Sequence, residues 1–305
     1  MQWKGVMPAM TTPFTGDLGV DWAFAERHAR WLEANGCTGI VCLGSLGEAA
    51  TLAFDEKLRI VRGAVAAVGS SIPVVGAVSA LSTSEAVCLA KALADVGARG
   101  LMILPPYVYR GDWRETKAHI ASILRATPLP AMLYNNPVAY GTDFVPEQIQ
   151  ELAADFENLA AVKESSTDVR RVTAIRALTG NRLAIFVGVD DAIVEGIAAG
   201  AVGWIAGLVN AFPRESVELF NLAIAANAGA FDLYRWFLPL LRMDTVPKFV
   251  QLIKLVQEEL GVGSALVRPP RLQIVGRELA EAKEVIANAL RHRPESVPRS
   301  SPLHQ

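Results

Sequence analysis

Short runs of Val, Ile, Leu and Ala recur along the chain at intervals of roughly 20 to 35 residues, each followed by polar or glycine residues and then an amphipathic stretch. The runs cover 5–10, 39–43, 73–77, 100–104, 131–134, 159–163, 184–188 and 202–205. Continuous apolar character, without alternation of in and out, predicts strands of a parallel sheet covered on both faces. Helical periodicity between them predicts helices over 22–35, 54–68, 82–96, 113–126, 146–156 and 169–178. Gly36, Gly69, Gly97 and Gly180 stand where helix C-caps are expected. Strand-then-helix repeats of this number close most simply into a (β/α)8 TIM barrel. An open doubly wound sheet competes, but the first connection, TTPFTGDLGV, lacks the GxGxxG of its dinucleotide-binding version.

Beyond residue 205 the pattern turns to helices alone, over 213–227, 230–243, 246–260 and 277–292. The expected organisation is a barrel over 1–210, a C-terminal helical region over 211–292 and a Pro- and Ser-rich tail over 293–305 that is expected to be disordered. A hydrophobic fraction of 51% over 305 residues supplies ample core. The 29 basic and 31 acidic residues leave a net charge of −2 and no basic footprint, so nucleic acid is not an expected partner. The start, MQWKGVMPAMTTPF, carries no apolar leader, and no later segment reaches the roughly 18 apolar residues of a membrane span; a cytoplasmic protein is expected. Cys37, Cys42 and Cys88 are odd in number and sit in apolar surroundings, which predicts reduced, buried thiols. His28, His119, His292 and His304 form no HxxxH or HExxH pair, so a metal is not expected.

In such a barrel the residues closing each strand face the active site: here Thr11, Thr12, Ser45, Ser79, Tyr107, Tyr134, Lys163 and Asp190. Lys163 ends the run NLAAVK, where desolvation lowers an amine's pKa and frees it to attack a carbonyl carbon. The structural alternative is a lysine paired with Glu164 or Asp190. Tyr134 closes the preceding strand, and a hydroxyl beside that amine can shuttle protons while a carbinolamine loses water; alone, it reads as packing. In GSLGEAATL, backbone N–H groups and the Ser45 hydroxyl can hold a carboxylate, while Glu48 reads as readily as a charge on a helix N-terminus as a functional group. Asp190 and Asp191 read as N-capping residues rather than a metal pair. Arg170 and Arg171 read as solvated or interface groups, and Tyr234, Trp236 and Phe237 as core or subunit contact.

GSLGE at 44–48, YNNP at 134–137 and VKES at 162–165, with GVDD at 188–191, resemble the dihydrodipicolinate synthase/N-acetylneuraminate lyase superfamily over most of the chain. The resemblance implies a (β/α)8 barrel with a helical C-terminal region, a homotetramer, and catalysis without metal or organic cofactor. It implies a Schiff base from Lys163 to C2 of pyruvate or another 2-oxo acid, and Tyr134 as general acid and base. The turn of Gly44, Ser45, Leu46 and Gly47 would hold the substrate carboxylate, Ser45 through its hydroxyl, and Gly188 and Ile205 would line the pocket.

Three positions depart from the synthase pattern. Leu46 stands where a relay threonine is usual, Val108 where a tyrosine reaches across the dimer interface, and Ala139 where an arginine binds the second substrate's carboxylate. YNNPVAYG, KESSTDVRR, GVDDAIVEGIAAGAVGWIAGLVNAFPRE, YRWFLPLLRMD and VRPPR together resemble the 1-pyrroline-4-hydroxy-2-carboxylate deaminases. Alternatives that keep the same lysine are dihydrodipicolinate synthase, with Tyr109 shifted into the relay, and a sugar-acid dehydratase or aldolase with Thr167, Asp190 or Asn210 reading hydroxyls. A further alternative is a non-catalytic 2-oxo acid binding protein on the same barrel.

Overall fold

Parallel strands alternate with helices throughout the computed structural model, which describes residues 1–295, 297–301 and 303. In chain order the elements are β1 (Gly5–Pro8), α1 (Trp22–Ala34), β2 (Ile40–Cys42), α2 (Phe54–Val68), β3 (Val74–Val78), α3 (Thr83–Asp95), β4 (Gly100–Ile103) and α4 (Trp113–Ala126). There follow β5 (Ala131–Asn135), α5 (Pro137–Tyr140), α6 (Pro146–Asp155), β6 (Leu159–Glu164), α7 (Arg170–Thr179), β7 (Ala184–Val187), α8 (Ile193–Ala198) and β8 (Gly203–Ala206). The chain then continues through α9 (Pro213–Ile224), α10 (Gly229–Leu241), α11 (Phe249–Glu259) and α12 (Gly276–Arg291).

The strands run in the order β1-β8-β7-β6-β5-β4-β3-β2, all parallel. The first and last strands of that series meet through a parallel bridge between Ala9 and Val41, with Met10 N–H donating to the Val41 carbonyl at 2.8 Å. The sheet thereby closes into a (β/α)8 barrel and the open-sheet alternative falls. Almost every strand residue is buried, because the barrel interior covers one face and the helices the other. Gly76 shows how close that outer packing is: a Cβ there would lie 2.8 Å from Leu93 of α3.

Local chemistry sets the helix starts. The Asp21 side chain accepts from Phe24 N–H at 2.9 Å, and Asp112 and Glu115 cap α4 reciprocally. The short α5 went unforeseen in the loop after β5, although its signals are local: Asn136 accepts from Ala139 N–H at 3.0 Å, Pro137 occupies the first turn, and Gly141 leaves at φ 70°. Helix α9 packs against β1 and α8 and takes the place of the eighth barrel helix, while α10 to α12 lie beyond it.

Some expectations are corrected here. Cys37 and Cys42 are buried, and burial pushes the Cys42 thiol up to about 12, but Cys88 lies on the exposed side of α3. Asp190 caps no helix and Glu48 is not a solvated N-terminal charge; both are buried, as described below. Among the described residues of the tail, Arg293 and Ser300 bond to Glu215 of α9, and Ser301 bonds to Trp31 of α1 and to Asn35, its C-cap. Residues 296, 302, 304 and 305, His304 among them, lie outside the described residues. Among the described residues no helix is long and apolar enough to cross a membrane.

Candidate active site

Lys163 lies near the C-terminal end of β6, in register with Tyr134 of β5 and Phe186 of β7. It is 6% exposed, and its Nζ stands 4.0 Å from the centre of the Tyr134 ring. Burial pulls the amine below the usual lysine range, while Tyr140, Asp244 and Asp190 pull it back up. Neither proposed ion-pair partner is free to hold it. Glu164 accepts from Asn135 Nδ2 at 3.0 Å and Ser166 N–H at 2.6 Å, and Asp190 is committed to backbone amides. Gly188, at the end of β7, makes room for the lysine stem: a Cβ there would lie 2.5 Å from Lys163 Cε and 2.8 Å from its Cγ.

Two tyrosines stand beside this amine, and a third adjoins them. Tyr134 is buried, and its hydroxyl accepts from Asn136 Nδ2 at 3.1 Å, with the buried Ser165 hydroxyl beside it. Tyr140, at the end of α5, sets its ring edge-on to Tyr134, with centroids 5.7 Å apart, and hydrogen-bonds Ser45 through its hydroxyl. Burial raises both phenols above the usual tyrosine range, so each is a protonated donor at neutral pH. Tyr107 extends the cluster, 6.1 Å from Tyr140, whereas Val108 is exposed and Tyr109 bonds Glu115 away from the amine. Ala139 is exposed on α5 and carries no polar group to the site. Tyr140 is the residue that sequence reasoning missed, although it sits in the same YNNPVAYG stretch: only the turn of α5 brings it back over Ser45.

The turn after β2 is bent sharply, with Leu43 and Glu48 both in the left-handed region at φ 66° and 53°. A Cβ on Gly47 would lie 2.9 Å from the Met10 carbonyl, and Thr12 Oγ1 donates to the Gly47 carbonyl at 2.7 Å. Among the described residues the N–H groups of Ser45, Leu46 and Gly47 have no protein acceptor, whereas those of Glu48 and Ala49 close back onto Ser45 and Gly44. Leu46 packs its side chain inward at 3% exposure, so it contributes only its backbone. Glu48 anchors the turn: it pairs with Lys254 of α11 at 2.8 Å, accepts from Arg268 N–H at 3.1 Å and has Arg271 at 3.8 Å.

Opposite the tyrosines, Asp190 accepts from Trp204 Nε1 at 3.1 Å, Gly207 N–H at 3.1 Å and Leu208 N–H at 2.9 Å. Burial pushes its carboxyl up to about 6 against those three donors, which favour the charged form. Ile205 is buried in β8 opposite Met7, two residues before Gly207. Thr11 and Asn210, at other strand ends, bond to one another and to Gln257, Ala9 and Gly207, and so are structural. Among the described residues no group of three His, Cys, Asp or Glu side chains could hold a metal ion. A cavity of about 410 Å³ lined by Lys4, Cys37, Thr38, Pro73 and Arg99 lies at the opposite, N-terminal end of the strands and contains none of these groups.

The sequence profile of the Dihydrodipicolinate synthetase family matches residues 2–289. The 4-hydroxy-tetrahydrodipicolinate synthase of Methanothrix thermoacetophila is 30% identical over 285 residues, which is 93% of this chain and 96% of that protein. Among solved structures, the 4-hydroxy-tetrahydrodipicolinate synthase of Methylacidiphilum fumariolicum SolV superposes with a TM-score of 0.91 at 25% identity, covering 95% of this chain and 97% of the other. Dihydrodipicolinate synthase DapA-2 of Bacillus anthracis superposes with a TM-score of 0.90 at 26% identity, covering 98% and 100%.

Proposed function

The chain belongs to the Dihydrodipicolinate synthetase family, class I lyases of the Schiff-base type, and from that premise we propose that it acts on a 2-oxo acid or cyclic imino acid through an imine on Lys163. The observation that carries this reading is the unpaired, desolvated amine of Lys163 against Tyr134. Tyr134 and Tyr140 move protons, the latter in contact with Ser45. The amides of Ser45, Leu46 and Gly47 receive the substrate carboxylate, an anion held by backbone N–H groups.

For the substrate we propose 1-pyrroline-4-hydroxy-2-carboxylate and its deamination. Lys163 adds to the ring C=N, and cleavage of the ring C–N bond leaves a lysine imine at C2 and a free amine at C5. The imine acidifies the C3 proton; its removal expels the 4-hydroxyl as water and leaves a C3=C4 double bond. A proton shift from C5 to C3 turns the C5 amine into an enamine, and hydrolysis of that enamine (as its imine tautomer) and of the lysine imine releases ammonia and 2-oxoglutarate semialdehyde. A substrate with one carboxylate matches one anion-binding turn and an exposed, non-basic Ala139. The similarity to 4-hydroxy-tetrahydrodipicolinate synthases favours a second reading, condensation of pyruvate with aspartate semialdehyde. A homotetramer belongs to the same proposal, supported by the exposed Leu81, Val108 and Tyr109 beside the barrel mouth.

Borohydride trapping followed by peptide mass spectrometry separates the readings. A Lys163 adduct with the pyrroline, with ammonia released in the unreduced sample, supports deamination. An adduct with pyruvate alone and turnover with aspartate semialdehyde supports the synthase. A Lys163→Ala variant with full turnover sinks both.

A further inference from the structure

The C-terminal region delivers a carboxyl group to the barrel mouth that the scheme above does not use. Asp244 closes a one-turn segment, Arg242–Asp244, packed against residues 190–192. Its Oδ1 is shut off from solvent and has no hydrogen-bond partner among the described residues. The carboxyl presses directly on the end of β8, where a Cβ on Gly207 would lie 2.0 Å from Oδ1 and 2.6 Å from Cγ. Only glycine admits it there.

The titratable and charged groups around it are Lys163 from β6, Tyr134 from β5, Asp190 and Asp191 from the turn after β7, and Arg242 on its own segment, with Tyr140 from α5 beyond, against Lys163 and Tyr134. Arg242 is turned toward Asp191, at 3.5 Å. Asp190 accepts from three N–H donors, which favour its charged form, whereas Asp244 has no donor at Oδ1, so of the two neighbouring carboxyls Asp244 is the one whose surroundings favour a proton. Burial raises Asp244 well above the usual carboxylate range, with Asp190 adding to the shift and Lys163 opposing it. No ion pair joins Lys163 to Asp244 among the described residues, which fits a resting pair of free amine and carboxylic acid.

We propose that Asp244 is the proton donor for imine formation at Lys163 and the counter-ion of the iminium that results. With a 2-oxo acid, the amine adds to C2 and one amine hydrogen passes to the new hydroxyl. Asp244 protonates that hydroxyl, water leaves, and iminium and Asp244 carboxylate remain. With a cyclic imine the same proton goes to the departing ring nitrogen, which leaves as an amine. In both cases a neutral pair becomes a zwitterionic one, so a cation forms in a desolvated pocket without becoming an unpaired buried charge. The proposal rests on the Lys163 imine.

Infrared difference spectra of the whole wild-type protein, with and without pyruvate or 4-hydroxy-1-pyrroline-2-carboxylate, test it without any substitution. The C=O stretch of a protonated carboxyl is expected to disappear as the adduct forms, and to be missing from Asp244→Asn throughout. Asp244→Asn is expected to form the adduct about 100-fold more slowly or worse. Its rate should fall as pH rises, because the proton then comes from solvent, where the wild type stays level. Asp244→Glu should recover part of the rate. Absence of any adduct in the wild type overturns the imine reading and this one together. An adduct formed with no loss of a carboxyl band, or a folded Asp244→Asn with the wild-type rate and pH profile, overturns this one alone.

Discussion

Replacing Gly188 with alanine tests whether the position of the Lys163 amine, rather than its presence, sets the rate. The backbone at Gly188 is not in the left-handed region, so alanine costs nothing there conformationally. The cost is steric: the new methyl would stand 2.0 Å from Ser165 Oγ, 2.5 Å from Lys163 Cε and 2.8 Å from Lys163 Cγ. Ser165 can rotate its hydroxyl away. The lysine stem cannot, because the Tyr134 ring closes its other side, with Nζ 4.0 Å from the ring centre. Restoring ordinary contact requires Cε to retreat by about 1 Å, a displacement that costs on the order of 100-fold in a positioned reaction. That factor corresponds to about 2.7 kcal/mol of barrier, beside about 1–3 kcal/mol of overpacking in the folded state. Thermal denaturation measures the second quantity, and initial rates with borohydride trapping at Lys163 measure the first. Gly16→Ala, whose added methyl meets nothing within 4 Å, is the control and should change neither. A Gly188→Ala enzyme with wild-type turnover and trapping rate would refute the claim that this glycine holds the amine in place.

Tyr140→Phe keeps the ring against Tyr134 and removes only the hydroxyl on Ser45, so kcat should fall roughly 10- to 100-fold with little change in melting temperature; unchanged steady-state kinetics would remove Tyr140 from the proton path. His28 is fully buried, donates from Nε2–H to the Asn210 carbonyl at 3.0 Å, and is held down by burial to about 4. Its folded-state pKa lies below the unfolded value, so the stability it contributes is fully present above pH about 6.5 and is lost as pH falls through about 4, on the order of 3 kcal/mol in all. Urea unfolding midpoints at pH 7 and pH 4.5 should therefore converge in His28→Gln relative to the wild type, and an unchanged difference would assign the acid sensitivity elsewhere.

The barrel was readable because each strand is a continuous apolar run and each long helix carries its own periodicity and caps, information confined to neighbouring residues. Lys163 and Tyr134 were readable for a related reason, since both are polar residues ending apolar strands. What periodicity hides is the destination of a side chain on a short or irregular segment. Tyr140 looks like one more aromatic in a loop until four residues of α5 turn it onto Ser45. Glu48 and Asp190 look like residues of helix starts and Asp244 merely follows a predicted helix, and each is instead held by contacts more than ten residues distant. A carboxylate's sequence neighbours show that it can be solvated; only tertiary contact shows that it is not.

Those three carboxylates also explain why the helices beyond the barrel belong to the site. Lys254 of α11 is 1% exposed and completes its coordination with Glu48 and the Thr12 carbonyl, both at 2.8 Å; the following loop adds the Arg268 amide. Removing one member of such a buried pair leaves an uncompensated charge, typically costing about 3–5 kcal/mol. The turn whose free amides are proposed to receive the substrate carboxylate is thus locked, at its Glu48 end, by residues more than two hundred positions away. Asp244 enters the opposite wall from the segment just before α11. Helix α11 carries Lys254, which anchors that turn, and follows the segment that carries Asp244, so it links the proposed anion-binding turn to that carboxyl. Chemistry that needs a carboxylate held at one wall and a proton delivered at the other requires a fixed spacing between the two, to which the C-terminal helices contribute as well as the barrel.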